Sequence, residues 1–143
     1  MRLLLIHQNF PGQFRQLVPY LHNRGHDLVG ICSHKRQIDS DISLYRYEAP
    51  NELKEVNDTG IRLWHEALNR SKAVAQICYQ LDQKGWQPDR IIAHSGWGET
   101  LGINQVWPNV SQILWPELWL LPKHGGYGVD PEKPIVALDQ YLE

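Results

Sequence analysis

Short apolar runs alternate with longer amphipathic stretches along this chain. Residues 3–6 are all apolar and are followed at once by polar and turn residues. Such a run predicts a strand buried on both faces, which is typical of a parallel sheet. Residues 27–32, 90–93 and 112–115 contain similar short runs. Residues 42–47 alternate between apolar and polar positions, which predicts a half-exposed strand at an edge of the sheet.

Three stretches between the predicted strands are interpreted as helices. Apolar residues recur at helical intervals over residues 14–21, and Gly25 is placed to end that helix. Pro19 weakens it locally because proline has no backbone N–H to donate. Residues 61–81 carry a wide apolar stripe, which predicts a long helix packed on a sheet. Residues 98–106 predict a third, short helix.

The order of these elements predicts an α/β fold. Strands and helices alternate as β-α-β-β-α-β-α-β, which is typical of a Rossmann-like, open and mostly parallel sheet with helices on both faces. Ligands of such sheets bind outside the carboxyl ends of the strands. The segments that this rule selects for a functional site are residues 7–13, 33–40, 94–99 and 116–128.

Composition narrows the class of protein. The chain has 143 residues, 42% of them hydrophobic, which is enough for one domain with its own core. Its net charge of −2 provides no overall attraction for nucleic acid. The apolar run at residues 3–6 is too short for a secretory signal, and no stretch approaches the roughly 20 apolar residues of a membrane span. We therefore expect a cytoplasmic protein with no integral membrane span and no nucleic-acid partner.

Metal-binding patterns are weak. Cys32 and Cys78 lie in apolar segments, and the chain has no C-x-x-C pair, so neither a zinc finger nor a redox motif is indicated. His22 and His26 have the spacing of a metal pair on one helix, but Gly25 ends the predicted helix between them. We expect no metal site.

The loop after the first predicted strand is one candidate site. Gly12 lies where this loop enters a predicted helix, so a phosphate could approach the backbone and meet free N–H groups there. The loop matches neither the G-x-G-x-x-G fingerprint nor a Walker A sequence. The pair of Pro11 and Gly12 is also ordinary turn chemistry, and both interpretations stay open.

The turn after the fourth predicted strand is the second candidate site. His94 falls at the carboxyl end of that strand, where acid–base or substrate-orienting residues lie in α/β folds. Trp97 follows in a loop and could stack on a sugar ring. The alternative is that Ser95 and Glu99 only cap a helix while His94 bonds to the loop. Glu117 follows the fifth predicted strand, either as a ligand for hydroxyl groups or as a solvated carboxylate.

Several segments together resemble the N-terminal part of the family 4 glycosyltransferases, which have the GT-B fold. The resemblance is closest to a bacterial group. H-Q-N-F-P-G-Q-F spans residues 7–14, and A-H-S-G-W-G-E-T-L spans residues 93–101. The runs R-G-H-D-L-V at residues 24–29 and G-V-D-P-E at residues 128–132 are similar too, with Val129 in place of the usual Phe.

This resemblance implies a glycosyl transferase of class EC 2.4 with two Rossmann-like domains. The N-terminal domain receives a sugar or lipid-linked acceptor, and the C-terminal domain holds the nucleotide-sugar donor. The nucleotide-sugar is a co-substrate, and no other cofactor or metal is implied. The resemblance implies that His94 is catalytic and that Gly12 and Gln13 contact the donor phosphates. It also implies that the acceptor is bound by Asn9, Phe10, Trp97 and Glu99. Glu117 is added to the acceptor-binding residues because it follows the fifth predicted strand at the same edge.

The sequence also departs from the family pattern. No two glutamates are eight residues apart, so the family's Glu-x7-Glu pair is missing, as is the whole donor domain. We therefore expect residues 1–143 to be a truncated N-terminal domain that is inactive alone. We also expect the full-length parent protein to be peripheral to the inner membrane. The alternative is a stand-alone, flavodoxin-like module that binds a phosphate ligand or a partner. An exposed apolar patch where further strands should dock would count against the module.

Overall fold

The computed structural model describes residues 1–34, 41–48 and 58–116, and within them it contains five strands and two α-helices. Glu117 and residues 128–132, named above, lie outside the described residues. The elements are β1 (Arg2–Ile6), α1 (Leu17–Asn23), β2 (Asp27–Cys32), β3 (Ser43–Arg46), α2 (Thr59–Gln83), β4 (Arg90–Ser95) and β5 (Gln112–Pro116).

All five strands are parallel and follow the order β3-β2-β1-β4-β5. Leu4 in the central strand pairs with Val29 of β2 on one side and with Ile91 of β4 on the other. The chain moves outward from β1 to β3 and then returns to place β4 on the opposite side of β1. The carboxyl ends of β1 and β4 therefore form a topological switch point, where ligands bind in folds of this kind. The predicted α/β fold and the edge position of β3 are both confirmed.

Side chains of β1 build a core on each face of the sheet. Leu4 and Ile6 point to one face and join a cluster with Val74 and Cys78 of α2. Leu3 and Leu5 alternate with them and pack on the other face, in a cluster that also contains Phe14 and Val18. Because both faces are covered, β1 must be apolar along its length, which is the pattern of residues 3–6.

The first helix begins later than predicted. Residues Gly12–Phe14 form a 3₁₀ turn, and α1 starts only at Leu17. Pro19 then falls in the first turn of α1, where backbone N–H groups have no partner within the helix, so its missing donor costs little. Gly25 follows the helix with a φ of +76°, as expected for the residue that ends it.

The helix predicted for residues 98–106 is wrong. The segment consists of turns and a 3₁₀ turn at Ile103–Gln105, and Ser95 belongs to β4 instead of capping a helix. Gly98 has a φ of +100°, and a Cβ atom there would lie 2.4 Å from the backbone oxygen of Ala67 in α2. Close packing on α2 therefore fixes a backbone that is not helical.

The wide apolar stripe of α2 packs on the core only in part. Val74, Cys78 and Leu81 are buried, but Ile61, Trp64 and Leu68 keep about half of their surface exposed. These last three residues are called the α2 ridge below. No helix among the described residues is long and apolar enough to cross a membrane.

Candidate functional site

Two buried imidazoles face each other at the switch point. His7 directly follows β1, and His94 lies near the carboxyl end of β4, as its sequence position predicts. Their ring centroids are 4.6 Å apart, and the rings are inclined by 31°. Both side chains are at least 95% buried. The parallel pairing of β1 with β4 brings these rings together, because it aligns the two strand ends.

Hydrogen bonds link the two imidazoles through Gln13. The backbone N–H of Asn9 donates to His7 Nδ1 over 3.0 Å. The other ring nitrogen of His7, Nε2, contacts Gln13 Oε1. The amide nitrogen of Gln13 lies 3.3 Å from His94 Nε2. Residues from both candidate segments of the sequence therefore form one connected site.

A polar pocket of about 250 Å³ opens at these groups. Trp97 is 39% exposed and offers an aromatic face to a bound ring. Amides and imidazoles can both donate and accept hydrogen bonds, which is what the hydroxyl groups of a carbohydrate require. The residues that line the pocket are His7, Gln8, Asn9, Gly12, Gln13, His94 and Trp97.

Gly12 is required by the packing of an imidazole. Its φ is +48°, and a Cβ atom there would lie 2.2 Å from the His7 ring. It opens the 3₁₀ turn and not an α-helix, since α1 starts at Leu17. The helix N-terminus expected beside Gly12 is therefore not formed, and contact of Gly12 and Gln13 with donor phosphates stays a prediction.

Phe10 lies behind the pocket and not on its wall. The side chain is fully buried in the core cluster that contains Leu5 and Phe14. A Cβ atom on Gly30 of β2 would come within 3.1 Å of the Phe10 ring, so the ring packs directly on the sheet. This position gives Phe10 a packing role, in contrast to the acceptor contact predicted for it.

Glu99 is also outside the pocket lining. It is 98% buried, and its Oε1 accepts a 2.8 Å hydrogen bond from the hydroxyl of Tyr47, the residue that follows β3. Its Oε2 has no hydrogen-bond partner among the described residues. Burial raises the pKa of Tyr47 far above its ordinary value, and the negative charge of Glu99 raises it further. Only its place at the carboxyl edge of the sheet could have singled out Tyr47 in the sequence.

Arg70 of α2 holds the loop that carries Trp97. Its guanidinium donates to the backbone oxygen of Trp97 over 3.3 Å and pairs with Glu66 one helical turn earlier at 3.2 Å. Arg70 could not be singled out from the sequence, because a charged side chain on a long helix ordinarily indicates only a solvated face.

The described part of the chain contains no group of three or more His, Cys, Asp or Glu side chains that could hold a metal ion. His22 lies within α1, and His26 lies beyond Gly25, after the helix has ended. The two rings therefore do not share a helix face.

Comparison with known proteins identifies a family. The family model described as "Glycosyl transferase family 4 group" matches residues 24–143, which include His94 and Trp97. No curated protein matches the sequence. Among solved structures, the fold is similar to MurG from Acinetobacter baumannii, with a TM-score of 0.50 and 12% identity over 80% of this chain. The C-terminal domain of the PF1911 hydrogenase from Pyrococcus furiosus has a TM-score of 0.49 and 8% identity, and the match covers 79% of this chain and 89% of that one. The chain spans 34% of the MurG chain.

Proposed function

Because the chain belongs to the glycosyl transferase family 4 group, we propose that residues 1–143 form the N-terminal, acceptor-side domain of a glycosyltransferase. In this proposal the parent enzyme moves a sugar from a nucleotide-sugar donor to a hydroxyl group of a sugar or lipid-linked acceptor, with no further cofactor. The observation that carries the proposal is the pocket at the switch point, where imidazoles, amides and an exposed indole meet. These groups suit the hydroxyls and the ring face of a carbohydrate.

Each pocket residue has a role in this proposal. His94 is the catalytic residue, which contacts the reacting sugar from the acceptor-side half of the cleft. Asn9 and Trp97 bind the acceptor, since both line the pocket. Gly12 and Gln13, which also line the pocket, contact the donor phosphates. Glu99 supports the loop that carries Trp97, through its bond to Tyr47.

The exposure of strand β5 favours one of the two alternatives. It indicates an incomplete domain with further strands and not a stand-alone module. Ile113, Leu114 and Trp115 each keep about half of their surface exposed. Successive residues of a strand point to opposite faces, so the described residues leave both faces of β5 partly uncovered, whereas they bury both faces of β1. A complete flavodoxin-like module has no reason to expose three large apolar side chains together.

The α2 ridge supports a location at a membrane surface. Lys72 lies one helical turn beyond Leu68 on the same face, and Arg62 flanks Ile61. Gly98 packs against Ala67, so this part of α2 lies beside the loop that carries Trp97. An exposed apolar ridge with flanking cations suits an anionic lipid surface. We propose that the parent enzyme is cytoplasmic and attaches to an anionic membrane surface through the α2 ridge, next to its lipid-linked acceptor.

The test of this function begins with the native gene beyond residue 143. The proposal expects a second Rossmann-like domain, and the complete protein should transfer label from a nucleotide-sugar to a lipid or sugar acceptor. His94→Ala should lower turnover by on the order of 100-fold, because a positioned acid, base or orienting group contributes at least that much. His22→Ala, which changes an exposed histidine of α1, is the matched control.

Two results would overturn the proposal. A stop codon soon after residue 143 would remove the donor domain. Tight binding of flavin or free nucleotide by the 143-residue chain, measured by calorimetry, would instead favour the stand-alone module. Unchanged turnover in the His94→Ala enzyme would leave the family assignment intact and remove this residue from the site.

A further inference from the structure

The hydrogen bond from the Asn9 backbone to His7 has only one possible direction. This direction determines which ring nitrogens of His7 and His94 carry a proton. The backbone N–H of Asn9 can only donate, so His7 Nδ1, 3.0 Å away, must accept. A neutral imidazole carries one proton, and that of His7 is therefore on Nε2. This nitrogen contacts Gln13 Oε1, which accepts the proton.

The orientation of the Gln13 amide follows from that bond. With its oxygen used by His7, the amide turns its nitrogen toward His94 Nε2 at 3.3 Å. An amide nitrogen can only donate, so His94 Nε2 accepts. Neutral His94 then carries its proton on Nδ1. The backbone of Asn9 thus sets the tautomer of His94 through two intervening side chains.

We propose that Gln13 is a positioning residue that holds His94 as the Nδ1–H tautomer. In this state the Nε2 lone pair of His94 is engaged, and the ring has an N–H to donate only at Nδ1. His94 can take up a proton at Nε2 only after the Gln13 amide has moved. The consequence for sugar transfer rests on the proposed function, whereas the tautomer itself does not.

Nitrogen-15 NMR of the histidine rings tests the proposal directly in the 143-residue chain. Long-range spectra recorded near pH 8, roughly 1.5 pH units above the ordinary histidine pKa, distinguish protonated from unprotonated ring nitrogens. We expect opposite tautomers, with the proton on Nε2 in His7 and on Nδ1 in His94. The variants His7→Ala and His94→Ala assign the two sets of signals. A wild-type spectrum with the His94 proton on Nε2 would overturn the proposal without any variant of Gln13.

Two substitutions at Gln13 should move the His94 proton to Nε2, to different extents. Gln13→Leu removes the donor, so His94 should shift toward the Nε2–H form. Gln13→Glu replaces the amide with a carboxylate, which only accepts, so it should invert His94 to the Nε2–H form completely. Gln16→Leu, at an exposed glutamine with no capping bond, should leave both rings unchanged. An unaltered His94 tautomer in both Gln13 variants, with the circular dichroism of the wild type, would show that Gln13 does not position the ring.

An activity measurement separates this inference from the proposed function. If the complete protein transfers sugar, Gln13→Glu should lower kcat more than it changes the KM for the acceptor. If it transfers no sugar at all while the NMR tautomers are as expected, the proposed function fails and the positioning role of Gln13 stands.

Discussion

The Tyr47 hydroxyl donates a 2.8 Å hydrogen bond to the Glu99 carboxylate, across a separation of 52 residues in the chain. The bond ties the end of β3 to the loop that follows β4, and this loop carries Trp97. A buried carboxylate needs such a partner, because the loss of its hydration is costly. The pair therefore ties the loop of the pocket residue Trp97 to the end of β3, although neither side chain lines the pocket.

Tyr47→Phe should lower the free energy of unfolding by about 1–3 kcal/mol, because it leaves Glu99 buried without its hydrogen-bond donor. Urea unfolding measures the change. Glu99→Gln should cost less, since an amide oxygen can still accept from Tyr47. Tyr20→Phe, at a tyrosine that is mostly exposed, is the control. Equal losses in Tyr47→Phe and Tyr20→Phe would mean that the buried pair contributes nothing specific.

Alkaline pH should destabilise the protein through Tyr47. The pKa of this group is raised in the folded state, so the folded chain retains the proton when the unfolded chain has lost it. Its contribution is complete below the ordinary tyrosine pKa of about 10 and is lost as the pH rises above that value. Unfolding free energies measured between about pH 9 and 11 should therefore fall less steeply in Tyr47→Phe than in the wild type. Parallel slopes would contradict this linkage.

Gly12→Ala should destabilise the chain and disturb His7. The new methyl group would overlap the imidazole, in addition to the cost of a positive φ. Gly25→Ala provides a matched control, because Gly25 also has a positive φ but has open space around it. We expect thermal unfolding to show a loss larger by about 1 kcal/mol or more at Gly12 than at Gly25. Similar losses of unfolding free energy at both positions would mean that only the positive φ, and not the contact with His7, makes the substitution unfavourable.

Gly98→Ala should shift the loop of Trp97 away from α2. A Cβ atom at this position meets the backbone of Ala67, which cannot rotate aside. Gly96 has a φ of +123° and nothing within 4 Å, so Gly96→Ala should be the milder change. Amide hydrogen exchange around residue 67 should quicken in Gly98→Ala only. Equal exchange in the two variants would mean that the contact does not hold the loop.

Trp64→Glu should weaken attachment to vesicles that contain an anionic phospholipid. Replacing the indole of the α2 ridge with a carboxylate removes apolar area and adds repulsion from the lipid charge. We expect about tenfold weaker binding in a sedimentation assay with the complete protein. Tyr79→Glu is the control, since Tyr79 is an exposed aromatic of α2 outside the ridge. Binding that is unaffected by Trp64→Glu would exclude the ridge as the lipid contact.

The strands could be predicted from the sequence because their signals are local. The bounds of β2 agree with the pattern of residues 27–32, and the other strands differ from theirs by one or two residues. His94 could be placed at the carboxyl end of a strand for the same reason. Its partner Gln13 could not be assigned its bridging role, since that role depends on a contact between distant segments.

The sequence-based predictions that were wrong concern features that depend on tertiary packing. The segment after Gly98 has a plausible helical pattern, but contact with α2 imposes a different backbone. Glu99 resembles a solvated residue of a first helical turn and is instead a buried partner of Tyr47. The N-terminal part of the apolar stripe on α2 stays about half exposed, because periodicity shows which residues share a face and not what covers that face.

Pairing of β1 with β4 also affects when the pocket can form during synthesis. Gln13 and His94 are 81 residues apart in the chain, so the bridge between the two imidazoles closes only after most of the described chain has left the ribosome. Contacts of such long range form slowly, since the loop between them must first be ordered. A nascent chain released before β4 has paired with β1 lacks the binding site, however complete its first helix and strands are.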